Sequence, residues 1–255
     1  LELVTAAGAV RTLSPGDGDA FDAARVSLGA LGLVSTITLD LLPAYDVEVV
    51  HRLADLEVAL EHFDRLLDGN RHAEFFWWPG KDVAEVKTID EPGEARRPEL
   101  PRSTVTEVGS GPSHEVFPTV RDVRFNEMEY GVPAEHGPAV MRHIRDLVTS
   151  RADVEFPVEY RYVRGDAIPL SPAYGRDTVF VAVHKHHEKP YGDFFAAAEE
   201  IFRSYDGRPH WGKHHNLTAA ELAELYPEWE TFRSVRAEFD PDGVFLNDYL
   251  CELLA

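Results

Sequence analysis

The residues best suited to chemistry lie between Glu159 and Lys213. Glu159-Tyr160-Arg161 falls in a run that reads as a strand, where residues two apart face the same side. Its carboxylate and guanidinium therefore point together. Two readings stand: a same-face ion pair on a sheet surface, or a charged pair aimed into a polar pocket, where it would hold vicinal hydroxyls. His184-Lys185-His186 repeats the spacing at the end of a nearly all-apolar run, residues 179–183. Polar residues ending a buried strand often line a cleft, but two partly exposed histidines at a strand terminus fit the pattern first. Arg208-Pro-His210-Trp211-Gly212-Lys213-His-His215 adds a stiff apolar body in Trp211, a glycine that allows close backbone approach, and an ammonium beside whatever docks there.

Six histidines in this stretch also raise metal binding, since an H-x-H pair on a strand can hold zinc or another divalent ion. Along the chain no carboxylate stands beside them at ligand spacing, and Lys185 and Lys213 would repel a cation. No metal ligand is assigned on this basis. Other chemistries find less support: the sequence holds no GxSxG elbow, no P-loop and no GxGxxG. Gly29 and Gly32, in Ser27-Leu-Gly-Ala-Leu-Gly, read first as a tight turn.

These residues need a scaffold, and 255 residues with 44% hydrophobic and 11% aromatic content can bury one. The formal charge of −20 repels phosphate backbones and anionic lipid, which argues against nucleic-acid and membrane-surface partners. A single cysteine, Cys251, cannot close an internal disulfide, so a cytoplasmic location is expected. No apolar run has the length of a membrane span.

Periodicity predicts a hairpin over residues 1–13, a short helix over 20–27 and strands over 33–41 and 47–53. Leu56, Leu60, Phe63 and Leu67 mark an amphipathic helix over 55–67. A hairpin over 74–88 follows, and residues 90–111, rich in Pro, Glu, Arg and Ser, read as an irregular surface excursion. Strands are expected at 123–130, 157–163 and 178–186. Helices are expected at 135–151, 193–204, 218–225 and 228–237, the third opened by a Thr218–Glu221 capping box. Strands and helices mix without a regular βαβ beat. The expected fold class is α+β, an antiparallel sheet covered on one side by helices. A chain that opens on Leu1 in mid-hairpin is expected to be a fragment.

Four segments, in order, resemble the vanillyl-alcohol-oxidase-type flavoproteins, in the sugar-1,4-lactone and alditol oxidase branch. Val26-Ser-Leu-Gly-Ala-Leu-Gly-Leu-Val-Ser-Thr-Ile-Thr-Leu is similar to that family's last flavin-contacting strand and turn. Val158-Glu-Tyr-Arg with Leu170-Ser-Pro-Ala-Tyr-Gly-Arg-Asp-Thr is similar to the substrate strand of alditol oxidases. Arg208-Pro-His-Trp-Gly-Lys is the most distinctive match, and Phe239-Asp-Pro-Asp-Gly-Val-Phe-Leu-Asn matches the usual ending. Phe75-Phe-Trp-Trp-Pro and Phe125-Asn-Glu-Met-Glu-Tyr look more like gulonolactone and arabinonolactone oxidases.

The resemblance implies an FAD enzyme that oxidises a sugar-1,4-lactone by hydride transfer, with oxygen or a redox protein as electron acceptor. It places residues 1–45 at the end of an FAD-binding domain, 46–215 in a substrate-binding cap and 216–255 back in the FAD domain. Most of the flavin site, including the pyrophosphate loop, would lie in a further N-terminal region. It implies Arg161 and Lys213 as catalytic cations and Glu159, His184 and His186 as substrate contacts. Ser27, Gly29, Gly32, Val34, His210 and Asn247 would touch the cofactor. At His186 the chain departs from alditol oxidases, which place threonine there. The bulkier ring favours a cyclic lactone over a linear polyol. The alternatives are an alditol oxidase, a carbohydrate-binding domain without flavin, and a metal-dependent hydrolase built on the histidines.

Overall fold

A strand whose residues alternate between two environments must present two faces, and the strand at 178–186 does so in this protein. The computed structural model describes residues 1–93, 100–118 and 122–254. Its strands are β1 (Glu2–Val4), β2 (Val10–Thr12), β3 (Leu33–Thr36), β4 (Asp46–Ala54), β5 (His72–Trp78), β6 (Val83–Asp90), β7 (Thr104–Pro112), β8 (Phe125–Pro133), β9 (Val158–Val163) and β10 (Thr178–His186). Its helices are α1 (Asp19–Arg25), α2 (Leu56–Gly69), α3 (Ser113–Val116), α4 (Gly137–Thr149), α5 (Gly192–Arg203), α6 (Ala219–Leu225), α7 (Trp229–Phe239) and α8 (Asp248–Leu254). The α+β class is as expected. The chain divides into two units, residues 1–41 with 164–177 and 208–255, and residues 42–163 with 178–207. Loop 164–177 and residues 208–215 thus pack with the first unit, a different division from the one drawn from the sequence.

In the second unit, seven strands lie in the order β8-β10-β9-β5-β6-β4-β7, every neighbouring pair antiparallel. One face is apolar. Val179, Val181 and Val183 on β10, Met128 and Tyr130 on β8, Tyr160 on β9 and Phe75 and Trp77 on β5 are all buried. Helices cover that face through specific rings. Phe63 of α2 meets Phe75 and Tyr160 edge-on at 5.6 and 4.9 Å, and Phe202 of α5 stacks on Tyr130 at 5.0 Å. Each such aromatic removes a large apolar area from water, which makes this layer the unit's core.

The expected excursion over 90–111 is corrected in its second half, because Thr104–Pro112 is strand β7, paired along β4 from Asp46↔Pro112 to Leu53↔Thr104. Its Gly-, Ser- and Thr-rich sequence hides it, since it forms the sheet's last strand and is mostly exposed. The backbone ladder rather than side-chain burial recruits it. Residues 94–99 lie outside the described residues. The strand expected over 33–41 is shorter, ending at Thr36.

In the first unit, β2-β1-β3 form a small antiparallel sheet, with the expected hairpin registered Glu2↔Thr12. The predicted capping box is present: the Thr218 hydroxyl accepts from the Glu221 backbone N–H, and the Glu221 carboxylate accepts from the Thr218 N–H at 2.8 Å. No helix among the described residues is long and apolar enough to cross a membrane.

Candidate active site

The face of the large sheet opposite those helices is polar in its middle. Register puts Phe180, Ala182, His184 and His186 of β10 on this side, opposite Gly131, Glu129, Glu127 and Phe125 of β8. On the other flank, Arg161 and Glu159 of β9 stand opposite Phe180 and Ala182. Glu74 of β5 stands opposite Arg161. Four strands thereby bring Glu74, Glu127, Glu129, Glu159, Arg161 and His184 onto one patch.

Glu159 and Arg161 do point together, yet their mutual contact is the longer one, at 3.6 Å. Arg161 donates to Glu129 instead, from Nε at 3.0 Å and from Nη2 at 2.5 Å. The reach across β10 is possible because Ala182, opposite both glutamates, offers only a methyl group. Phe180 lies under the guanidinium with 5.2 Å between Cζ and the ring centre. The Glu129 side chain is only 2% exposed. Burial works against the Arg161 charge, but Glu129 more than offsets it and holds the guanidinium above its ordinary value. Glu159 has no such compensation. Desolvation raises its carboxyl above the ordinary range, Arg161 opposes the rise, and Glu129 and Glu74 add to it.

His184 is 3% exposed, so the reading of two partly exposed strand-end histidines fails for it. Its ring sits edge-on to Phe125 at 5.0 Å. Nδ1 lies 3.0 Å from the Pro157 carbonyl, which can only accept, so Nδ1 carries the proton. Nε2 is buried without a hydrogen-bond partner and faces Glu127 Oε1 at 3.3 Å. No carboxylate stands at ligand spacing along the chain, yet two are brought beside His184 in space. Glu127 and Glu159 are far from His184 along the chain but adjacent across the sheet, with ligand-type atoms of all three within 4.8 Å. Lys185 points to the other face, where it is tied to Asp153, so it does not repel a cation here. His186 is separate from this cluster, half-exposed, with its ring beside His187.

The first unit shows how the Arg208–Lys213 segment is built. Arg208 donates to the carbonyls of Leu225 at 2.8 Å and Tyr174 at 2.7 Å, pinning loop 164–177 and the end of α6. Trp211 donates from Nε1 to Leu170 O at 2.7 Å and stacks on Tyr226 at 5.3 Å. These two residues are scaffolding. They present a turn closed by Lys213 N–H to His210 O at 3.0 Å, where His210 Nδ1 accepts from Gly212 N–H at 3.1 Å. Lys213 itself is half-buried. Gly29 and Gly32 both have positive φ, 76° and 148°. A side chain at Gly32 would meet Val4 O at 2.6 Å, whereas Gly29 faces open space. Ser27 O accepts from Ala30 N–H to close that turn, and Val34 is half-buried opposite Leu3. The Asn247 side chain caps α8, accepting from Leu250 N–H at 2.9 Å.

Sequence reasoning missed Glu127 and Glu129. Their alternation in Phe125-Asn-Glu-Met-Glu-Tyr is the available signal, since two glutamates at strand spacing flanking a buried methionine must share the face away from the core.

The family model described as D-arabinono-1,4-lactone oxidase matches residues 37–109 and 97–253. An L-gulono-1,4-lactone dehydrogenase of Mycobacterium tuberculosis is 40% identical over the whole chain, which spans 68% of that relative's length. An alditol oxidase of a Streptomyces species is 32% identical, again over the whole chain and 67% of its own length. A VAO-type flavoprotein of Myceliophthora thermophila has the same fold, with TM-score 0.68 and 17% identity over 95% of this chain and 54% of that one. The ordered match over both units shows that this chain belongs to the D-arabinono-1,4-lactone oxidase family.

Proposed function

We propose that the protein is an FAD-dependent oxidoreductase that oxidises the carbinol group of a sugar-1,4-lactone of the gulono-, galactono- or arabinono-type. The observation that carries this reading is the patch on the polar sheet face. There a guanidinium held rigid by Glu129 stands beside a desolvated carboxyl and a buried imidazole. FAD, when bound, would supply the acceptor for the hydride that leaves the carbinol carbon. The first unit completes the FAD-binding domain, with Ser27, Gly29, Gly32, Val34, His210 and Asn247 toward the cofactor, and the second unit is the cap. The open side of the Gly29 turn fits the close approach of a flat ring.

As the hydride leaves, the hydroxyl oxygen gains negative charge, which a fixed cation stabilises more in the transition state than in the ground state. Arg161 and Lys213 serve that charge, and Lys213 Nζ relays the hydroxyl proton. Glu159, desolvated beside Arg161, accepts from a neighbouring hydroxyl. His184 holds another hydroxyl at Nε2, and His186 narrows the site toward a ring. A polyol is the second reading, favoured by the 32% identity to an alditol oxidase. Oxygen or a redox protein takes the electrons, in the cytoplasm, and nucleic acid is not a partner.

The test is the visible spectrum of the full-length protein before and after anaerobic addition of gulono- or galactono-1,4-lactone. Bleaching of a flavin band is expected. A flavin band that stays unchanged with lactones and bleaches with polyols moves the second reading to first place. Lactone binding with no flavin at all would make the protein a carbohydrate-binding domain. Lys213→Met is expected to slow flavin reduction about 10²- to 10³-fold while changing lactone affinity only a few-fold. Equal loss in both would remove its transition-state role.

A further inference from the structure

The polar face holds a second arrangement, built from residues of three neighbouring strands. A metal-binding histidine characteristically donates one ring N–H to a backbone carbonyl and turns the other nitrogen's lone pair to the ion. His184 is set in that way. Pro157 O takes the Nδ1 proton, and Nε2 is left buried with no hydrogen-bond partner. What Nε2 faces is a carboxylate oxygen of Glu127 at 3.3 Å. Glu159 supplies a third ligand atom, and all three lie within 4.8 Å of one another. Divalent ions with bonds of about 2.1 Å need neighbouring ligand atoms about 3–4 Å apart, so small side-chain movements close the set.

The local charge favours an ion as well. Arg161 is committed to Glu129 at 2.5–3.0 Å and stays 3.6 Å from Glu159. A nitrogen with two carboxylates, partly enclosed by Phe125 and Phe156, suits a borderline transition ion of the zinc class better than calcium or magnesium, which prefer all-oxygen shells.

We propose that Glu127, Glu159 and His184 form a divalent transition-metal site, and that zinc bound there excludes the lactone. The exclusion rests on the substrate reading above, because Glu159 and His184 cannot hold hydroxyls and metal together. The binding itself rests only on the cluster. The protein would then be inhibited by free zinc, with carbohydrate and metal competing for one patch.

The test is calorimetric titration of chelator-treated full-length protein with zinc chloride, with and without saturating gulono-1,4-lactone. One zinc is expected, with affinity weakened at least about tenfold in His184→Gln and in Glu127→Gln. The exposed group His186, His187 and Glu188 is the competing site, so His187→Ala is expected to leave zinc binding unchanged. Circular dichroism of each variant separates loss of a ligand from loss of fold, and Glu127→Gln keeps the shape of its side chain. No zinc binding by the wild type overturns the proposal, as does binding that falls in His187→Ala and survives in His184→Gln. Lactone turnover without zinc binding leaves the functional reading intact and removes only the metal site. Zinc binding indifferent to lactone that is itself turned over overturns the exclusion.

Discussion

The two faces of the large sheet are made by the same strands and do opposite work. Along β10, Val179, Val181 and Val183 go to the helices, while Phe180, Ala182, His184 and His186 go to the polar side. A strand period of two keeps the sets apart without any change of backbone. The helix side is filled by rings in contact, such as Phe63, Phe75 and Tyr160. The polar side is filled by charges in contact, such as Arg161 with Glu129 and Lys87 with Glu74 at 3.0 Å. One face should therefore hold the fold and the other the chemistry, to the extent that buried charges do not also hold the fold.

Phe75→Ala gives the largest expected effect. The side chain is fully buried, stacked on Tyr160 at 4.5 Å, and its loss should cost about 3–5 kcal/mol in urea or thermal unfolding. Protein that remains folded should still turn over substrate. A folded Phe75→Ala protein with no activity would break the division between the faces.

Arg161→Leu probes the exception. Turnover should fall about 10²- to 10³-fold, and stability should fall by about 3 kcal/mol, because Glu129 is left as a buried, uncompensated charge. The double variant Arg161→Leu with Glu129→Leu should recover most of the stability and none of the activity. Recovery of neither would mean that the polar face is as structural as the apolar one.

The reverse exception is Lys185, a buried cation on the helix side, held by the Asp153 side chain at 2.5 Å. Lys185 and then Arg151 hold the Asp153 carboxyl down to about 2. A depressed folded-state value means that the stabilisation is complete above the ordinary carboxyl value of 3.8 and is lost as pH falls through about 2. Asp153→Asn should flatten the stability profile in that window, measured by acid titration of the melting temperature. An unchanged profile would assign acid loss to other carboxylates.

Much of this scaffold was legible because it is local. The hairpin over 74–88, the apolar run 179–183, the Leu56–Phe63 stripe and the Thr218–Glu221 box all depend on neighbours in sequence. What could not be read depends on pairing. Strand β7 is held by its ladder to β4 and carries little apolar pattern of its own. Glu129 lies more than thirty residues before Arg161, and only the interposed β10 brings them together. Arg208 and Trp211 looked like site residues because their types suit chemistry, yet carbonyls from distant loops employ both.

His186→Thr should have the smallest effect and sharpens the comparison at the half-exposed edge of the polar face. Its side chain is 36% exposed and no buried partner depends on it, so stability should change by less than about 0.5 kcal/mol. A shorter side chain that carries a hydroxyl opens space at this edge for an extended substrate. The ratio of kcat/KM for a polyol to that for a lactone should rise, by about tenfold if one steric contact is relieved. If both rates move together, His186 contributes general packing, and selection between ring and chain lies deeper in the patch, at Glu159 and His184.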